Sequence, residues 1–157
     1  MKFILLPCLL MVSMSSYCQG QDSLALLQGR IRSICEYASK NVLHTKEKPT
    51  LWPFYQNINF AVDSIMKKAI PDMPNYIQMD TSRPHEIPFK DTTVARISEY
   101  RKDMEFLPGM TLFLSPPQSH FFVCELMSPY TMTGGYLLAF EFDEDRIVRS
   151  YVDRWEN

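Results

Sequence analysis

Three runs near the C-terminus decide the fold: SHFFVCELM at 119–127, YLLAFEF at 136–142 and RIVRSYVDR at 146–154. All three lack proline, and their apolar side chains recur with a period of two, the pattern of half-buried strands. Met110–Leu114 supplies a fourth strand candidate upstream. Pro116 with Pro117, the stretch Ser128–Gly135 and the acidic trio Asp143, Glu144 and Asp145 separate the four. These links are short enough for antiparallel neighbours, and the pair Gly134 and Gly135 reads as a source of positive backbone angles for a turn. One face of the resulting sheet carries Phe122, Cys124, Leu126, Tyr136, Leu138, Phe140 and Phe142. Such a face needs a cover.

The cover is legible upstream, where the period becomes helical. Leu24, Leu27, Ile31, Ile34, Cys35, Ala38 and Val42 recur at spacings of three and four behind a capping Asp22, with Arg30, Arg32, Glu36 and Lys40 mostly opposite. A second helix is predicted from Pro53 to Ile70, opened by a first-turn proline and closed by Lys67, Lys68 and Pro71. Pro71, Pro74, Pro84 and Pro88 then leave room for little more than a short strand, Tyr76–Met79, in a surface excursion. Asp91 caps a third helix through Met104, ended by Pro108 and Gly109. N-terminal helices packed on a C-terminal four-stranded antiparallel meander define the α+β class. The order of elements is similar to that of cystatin-like and nuclear-transport-factor-like rolls, whose curved sheet wraps helices and often makes a pocket. The likeness is one of element order alone and does not fix a function.

The chain opens with Met1, Lys2 and an apolar run from Phe3 to Val12 that turns polar at Ser13, the layout of a secretory signal peptide. The run falls short of the roughly 20 apolar residues of a membrane-spanning helix. No later segment reaches that length without charge or proline, so no transmembrane segment is expected. Cys18 and Gly20 provide the small side chains for cleavage before Gln21, which divides the chain into a leader, 1–20, and one globular domain, 21–157. The expected location is secreted or periplasmic. A lipid anchor on Cys18 is the competing reading, weakened by bulky Tyr17 where lipoprotein signals carry a small residue.

Composition removes whole classes of partner. The 16 basic and 18 acidic residues give a net charge of −2, and no basic cluster is present to bind nucleic acid. Cys35 and Cys124 are the body's two cysteines; an oxidising compartment predicts one disulfide between the first helix and the sheet, the alternative being two buried thiols.

His120 is the leading candidate for chemistry, sharing a site with Glu125 or with the acids of the last hairpin. Ser119 is set aside as its partner because adjacent strand residues point to opposite faces, and no Gly-x-Ser-x-Gly elbow exists. Cys124 lies among Phe122, Val123 and Leu126, surroundings that make a thiol inert. His44, His85 and His120 are scattered and the acidic turn lacks calcium-loop spacing, so no metal and no cofactor is expected. Aromatic residues make up 13% of the chain, and Trp52, Tyr76, Tyr130 and Trp155 form a candidate contact surface. The leading reading is a non-enzymatic module that binds a protein or small ligand. A small enzyme using His120 and a carboxylate in a curved-sheet pocket is the second, and a lipid-anchored accessory subunit of an envelope complex the third. A hollow interior lined by His120 would favour the enzyme, and a filled one the module.

Overall fold

The computed structural model describes residues 23–58, 64–75, 85–90, 94, 109–128 and 133–156. The leader, the expected strand Tyr76–Met79, Tyr130 and all of the expected third helix except Val94 lie outside these residues. Helix α1 spans 23–37 and runs on into a π-helical turn, Ala38–Val42, closed by the Leu43 amide on the Ala38 carbonyl at 2.9 Å. Its predicted apolar stripe is the buried one, with Ile31, Ile34, Cys35, Ala38 and Val42 all inside. The chain then reverses at His44, whose φ is 51°, and buried Ser39 ties the loop back by donating its hydroxyl to the carbonyls of Thr45 and Glu47.

The strands are β1 (Thr50–Leu51), β2 (Thr111–Leu114), β3 (Phe121–Met127), β4 (Gly134–Asp143) and β5 (Arg146–Glu156), hydrogen-bonded in the order β1-β2-β3-β4-β5. The expected four-stranded antiparallel sheet is therefore corrected to a five-stranded mixed one. β2 to β5 form the antiparallel series, whereas β1 lies parallel to β2. Two residues between Pro49 and Pro53 are too few to show alternation, so β1 leaves no periodic trace in the sequence. Its direction follows from the long crossover through 52–110, which parallel neighbours require.

That crossover also shortens the predicted second helix. Among the described residues helix α2 covers Ser64–Ala69, and residues 53–58 are not helical. Their backbone groups are committed elsewhere: Gln56 N–H to Leu114 O at 2.8 Å, Tyr55 N–H to His85 O at 2.9 Å, and Ile87 N–H to Pro53 O at 2.9 Å. Tertiary pairing overrides the helical spacing of Phe54 and Ile58.

The two faces of the sheet are covered unequally. On the inner face, α1 packs against Leu112, Leu114, Phe122, Cys124, Leu126, Leu138, Phe140 and Phe142. The Tyr37 ring meets Phe140 edge-on at 5.1 Å, and its hydroxyl shares a 2.9 Å hydrogen bond with Ser150. On the outer face, Met66 of α2, with Ile58, Ile70 and Met73, covers Phe121, Val123 and Ala139. Trp52 and Phe113 form a separate small cluster beside them. No described helix is long and apolar enough to cross a membrane.

Candidate functional site

The acidic turn between β4 and β5 does more than present charge to solvent. It is where α1 is fastened. Arg30 Nε donates to the Glu144 carbonyl at 2.6 Å and the Ser33 hydroxyl to the Asp145 carbonyl at 2.8 Å. Gly29 permits the approach, since a Cβ there would stand 2.8 Å from Asp145 Cβ. A second arm of the same guanidinium reaches the Ser119 carbonyl at 3.0 Å. One arginine thus bridges the β4–β5 turn and the link that leads into β3.

In that link, Ser119 and His120 are not strand residues on opposite faces. They form the tip of a tight turn closed by reciprocal 3.0 Å hydrogen bonds between the backbones of Gln118 and Phe121. Ser119 takes φ of 59°, a conformation uncommon for a residue with a side chain. The turn swings the Ser119 hydroxyl to 3.2 Å from His120 Nδ1, and His120 Nε2 lies 3.8 Å from Glu141 Oε1. Glu141 in turn accepts from Arg149 at 2.8 Å. The carboxylate beside His120 is therefore Glu141, an acid of the last hairpin, rather than Glu125. Its position was readable in principle: Glu141 interrupts an apolar strand at the parity of Leu137 and Ala139, which places it on the outer face.

Glu125 occupies a different place. A lateral row crosses the outer face in register from Phe113 on β2 through Glu125 and Leu137 to Asp153 on β5. Trp52 extends the row, with its ring 5.5 Å from that of Phe113. In the next row Trp155 pairs with Gly135. Gly134 and Gly135 lie inside β4, and neither has the positive φ of a turn residue; among the described glycines only Gly109 does. Gly135 is needed for space, because a Cβ would meet Leu126 O at 2.7 Å and Trp155 Cζ2 at 3.1 Å. The indole thus lies across β4 and hydrogen-bonds the Glu125 carboxylate on β3. Burial pushes the Glu125 carboxyl above the usual carboxylate range, and the bond from Trp155 opposes that shift in part. Of the expected contact residues, Trp52 is buried and Trp155 half-buried in this region, while Tyr76 and Tyr130 lie outside the described residues.

Cys35 and Cys124 are thiols, both fully buried in the core between α1 and β3. Burial raises Cys35 to about 12, and burial together with the neighbouring Cys35 raises Cys124 well above the usual thiol range. Neither is a nucleophile near neutral pH. Among the described residues no three His, Cys, Asp or Glu side chains converge as metal ligands. Among the described residues, shallow, open clefts include one of about 440 Å³ beside Gly134, Tyr136 and Arg154 and one of about 340 Å³ between Lys40, Lys46 and Lys48. His120 lines neither. No family model, curated protein or solved structure matches the chain.

Proposed function

We propose that the chain is an exported, non-enzymatic binding module that recognises a partner group combining a cation with an apolar body on the outer face of its sheet. The observation that carries this reading is the Glu125 carboxylate, half-buried and hydrogen-bonded by Trp155, in a row with Phe113, Leu137 and Asp153. A desolvated carboxylate beside aromatic surface favours an ammonium or guanidinium with attached hydrocarbon. The contiguous cluster of buried apolar side chains between α1 and the sheet, among the described residues, supports a surface contact over an enclosed reaction chamber. Within the same reading the leader is removed near Gly20, and Cys35 and Cys124 are the pair available for one crosslink in an oxidising compartment.

The test is a panel of short peptides that place Lys or Arg beside an aromatic residue, followed by tryptophan fluorescence and calorimetry. At least one peptide is expected to perturb Trp155, with binding weakened about tenfold by Glu125→Gln. A panel that leaves Trp155 undisturbed, or binding indifferent to Glu125→Gln, overturns the reading.

A second reading is favoured by the Ser119, His120 and Glu141 chain, in which the backbone at Ser119 is held in an uncommon conformation. It assigns a small enzyme to the turn. Against it, the His120 side chain is 42% exposed, and Arg149 already holds the carboxylate. Soluble export is separated from acylation at Cys18 by the mass of the mature N-terminus.

A further inference from the structure

We infer that the protein forms a two-fold dimer in which β5 pairs antiparallel with β5 of a second copy, centred on Tyr151. At eleven residues β5 is the longest described strand, and it ends the sheet order with β4 as its one neighbour among the described residues. A terminal strand presents a row of backbone donors and acceptors that a further strand can satisfy. β5 contains neither the proline nor the lysine that commonly blunts an edge, and its irregularity is confined to the end near Phe142, leaving 149–156 in regular register.

Charge selects the register. Backbone groups point outward at alternate residues, so two copies of one strand pair only with the axis passing through a residue. An axis at Arg149 sets arginine against arginine, and one at Asp153 sets aspartate against aspartate. An axis at Ser150 or Val152 places no acid opposite a base within 149–153. With the axis at Tyr151, Arg149 faces Asp153 of the other copy twice over, Ser150 faces Val152 twice, and the two tyrosines meet. Arg149 keeps Glu141 at 2.8 Å and, with five donors, has capacity for a second carboxylate.

Exposure points to the same edge. Among the described residues, the large apolar side chains left exposed are Val148 and Val152 on β5 and Ile65 on α2, the helix that packs on β5. A second copy on β5 shields the valines and brings its own α2 alongside, joining two five-stranded sheets into one of ten. This association is independent of any ligand on Glu125.

Sedimentation velocity on the purified protein is expected to show a dimer that loosens as salt rises. Asp153→Arg sets Arg149 against a second arginine, and Arg149→Asp sets two aspartates together, so each variant alone is expected to dissociate at least about tenfold more readily. An equimolar mixture of the two variants restores opposite charges at every pair and is expected to recover the dimer. Far-UV circular dichroism and a cooperative melt establish that each variant folds. A protein that stays monomeric at concentrations on the order of 100 µM, typical of weak homodimers, overturns the inference, as does a dimer untouched by Asp153→Arg or a mixture that fails to re-form. An unrelated protein's strand as the true occupant of this edge would appear as the first of those outcomes.

Discussion

Alternate residues of the same two strands live in different surroundings. Cys124, Leu126, Leu138 and Phe140 point inward and have no exposed surface, whereas Glu125, Leu137 and Glu141 point outward and stay partly open. The difference is made by the covers. Among the described residues, α1 packs on the inner face and is fastened at the β4–β5 turn by Gly29, Arg30 and Ser33, while Ile58, Met66, Ile70 and Met73 cover Phe121, Val123 and Ala139 on the outer face and Glu125 and Glu141 stay partly open. Ionisable side chains within strands are tolerated where cover is incomplete. On the proposed reading the partner is met on the outer face, while the inner face carries the larger buried cluster among the described residues.

Truncations test that contrast most severely. Phe140→Ala on the inner face is expected to cost about 3–5 kcal/mol in urea unfolding, the range for emptying a packed aromatic site. Leu137→Ala, one strand position-set away on the outer face, is expected to cost about 1 kcal/mol, because a half-exposed leucine loses less burial. Equal losses at the two positions would end the distinction.

Gly135→Ala sharpens the comparison from the outer side. An added methyl would meet the Leu126 carbonyl oxygen at 2.7 Å and the Trp155 ring at 3.1 Å, so the backbone has to shift and the ring has to give as well, and forced contacts of this kind cost about 1–3 kcal/mol. Because the indole is one of the two groups met, the variant is also expected to shift tryptophan emission to the red. A Gly135→Ala protein with unchanged stability and emission would show that the indole does not lie across β4.

The inner face was legible in the sequence because its signal is long. Seven alternating apolar residues on two strand candidates and a helical stripe from Leu24 to Val42 each span several periods; six of the seven are buried, as is the stripe from Ile31 to Val42, with Leu27 and Tyr136 partly buried against them. β1 was not legible, since two residues between prolines carry no period. The second helix was less legible for the opposite reason: Phe54 and Ile58 have helical spacing, yet their segment is pinned by backbone hydrogen bonds to residues 85 and 114, and a local window contains no trace of those partners. The site was only half visible. His120 and the outer aromatics stand out as residue types, but that Glu141 rather than Glu125 faces His120 depends on cross-strand register, and that Gly135 makes room for Trp155 depends on packing across three strands. The turn at Ser119 was hidden because nothing in SHFF marks a positive φ, a role that sequence reasoning assigns first to glycine.

The smallest expected effect is the one that joins the two faces to function. The Glu125 carboxyl is raised above its ordinary value of 4.5 by burial, so the folded protein holds this proton more tightly than the unfolded chain does. Linkage fixes the sign: its contribution to stability is fully present below the unfolded value and is lost as pH rises through the folded one. Above the folded value, where Glu125 is ionised, the group is a net cost to the fold. Glutamine has the same shape, accepts the Trp155 N–H through its amide oxygen and does not ionise. Glu125→Gln is therefore expected to melt slightly above the parent protein at pH 7 and together with it near pH 3, as followed by calorimetry across that range. A group retained at a cost to stability is what a binding surface requires. A glutamine variant that melts lower at pH 7, or a difference that does not change with pH, would place Glu125 among the groups that hold the fold together and remove it from the site.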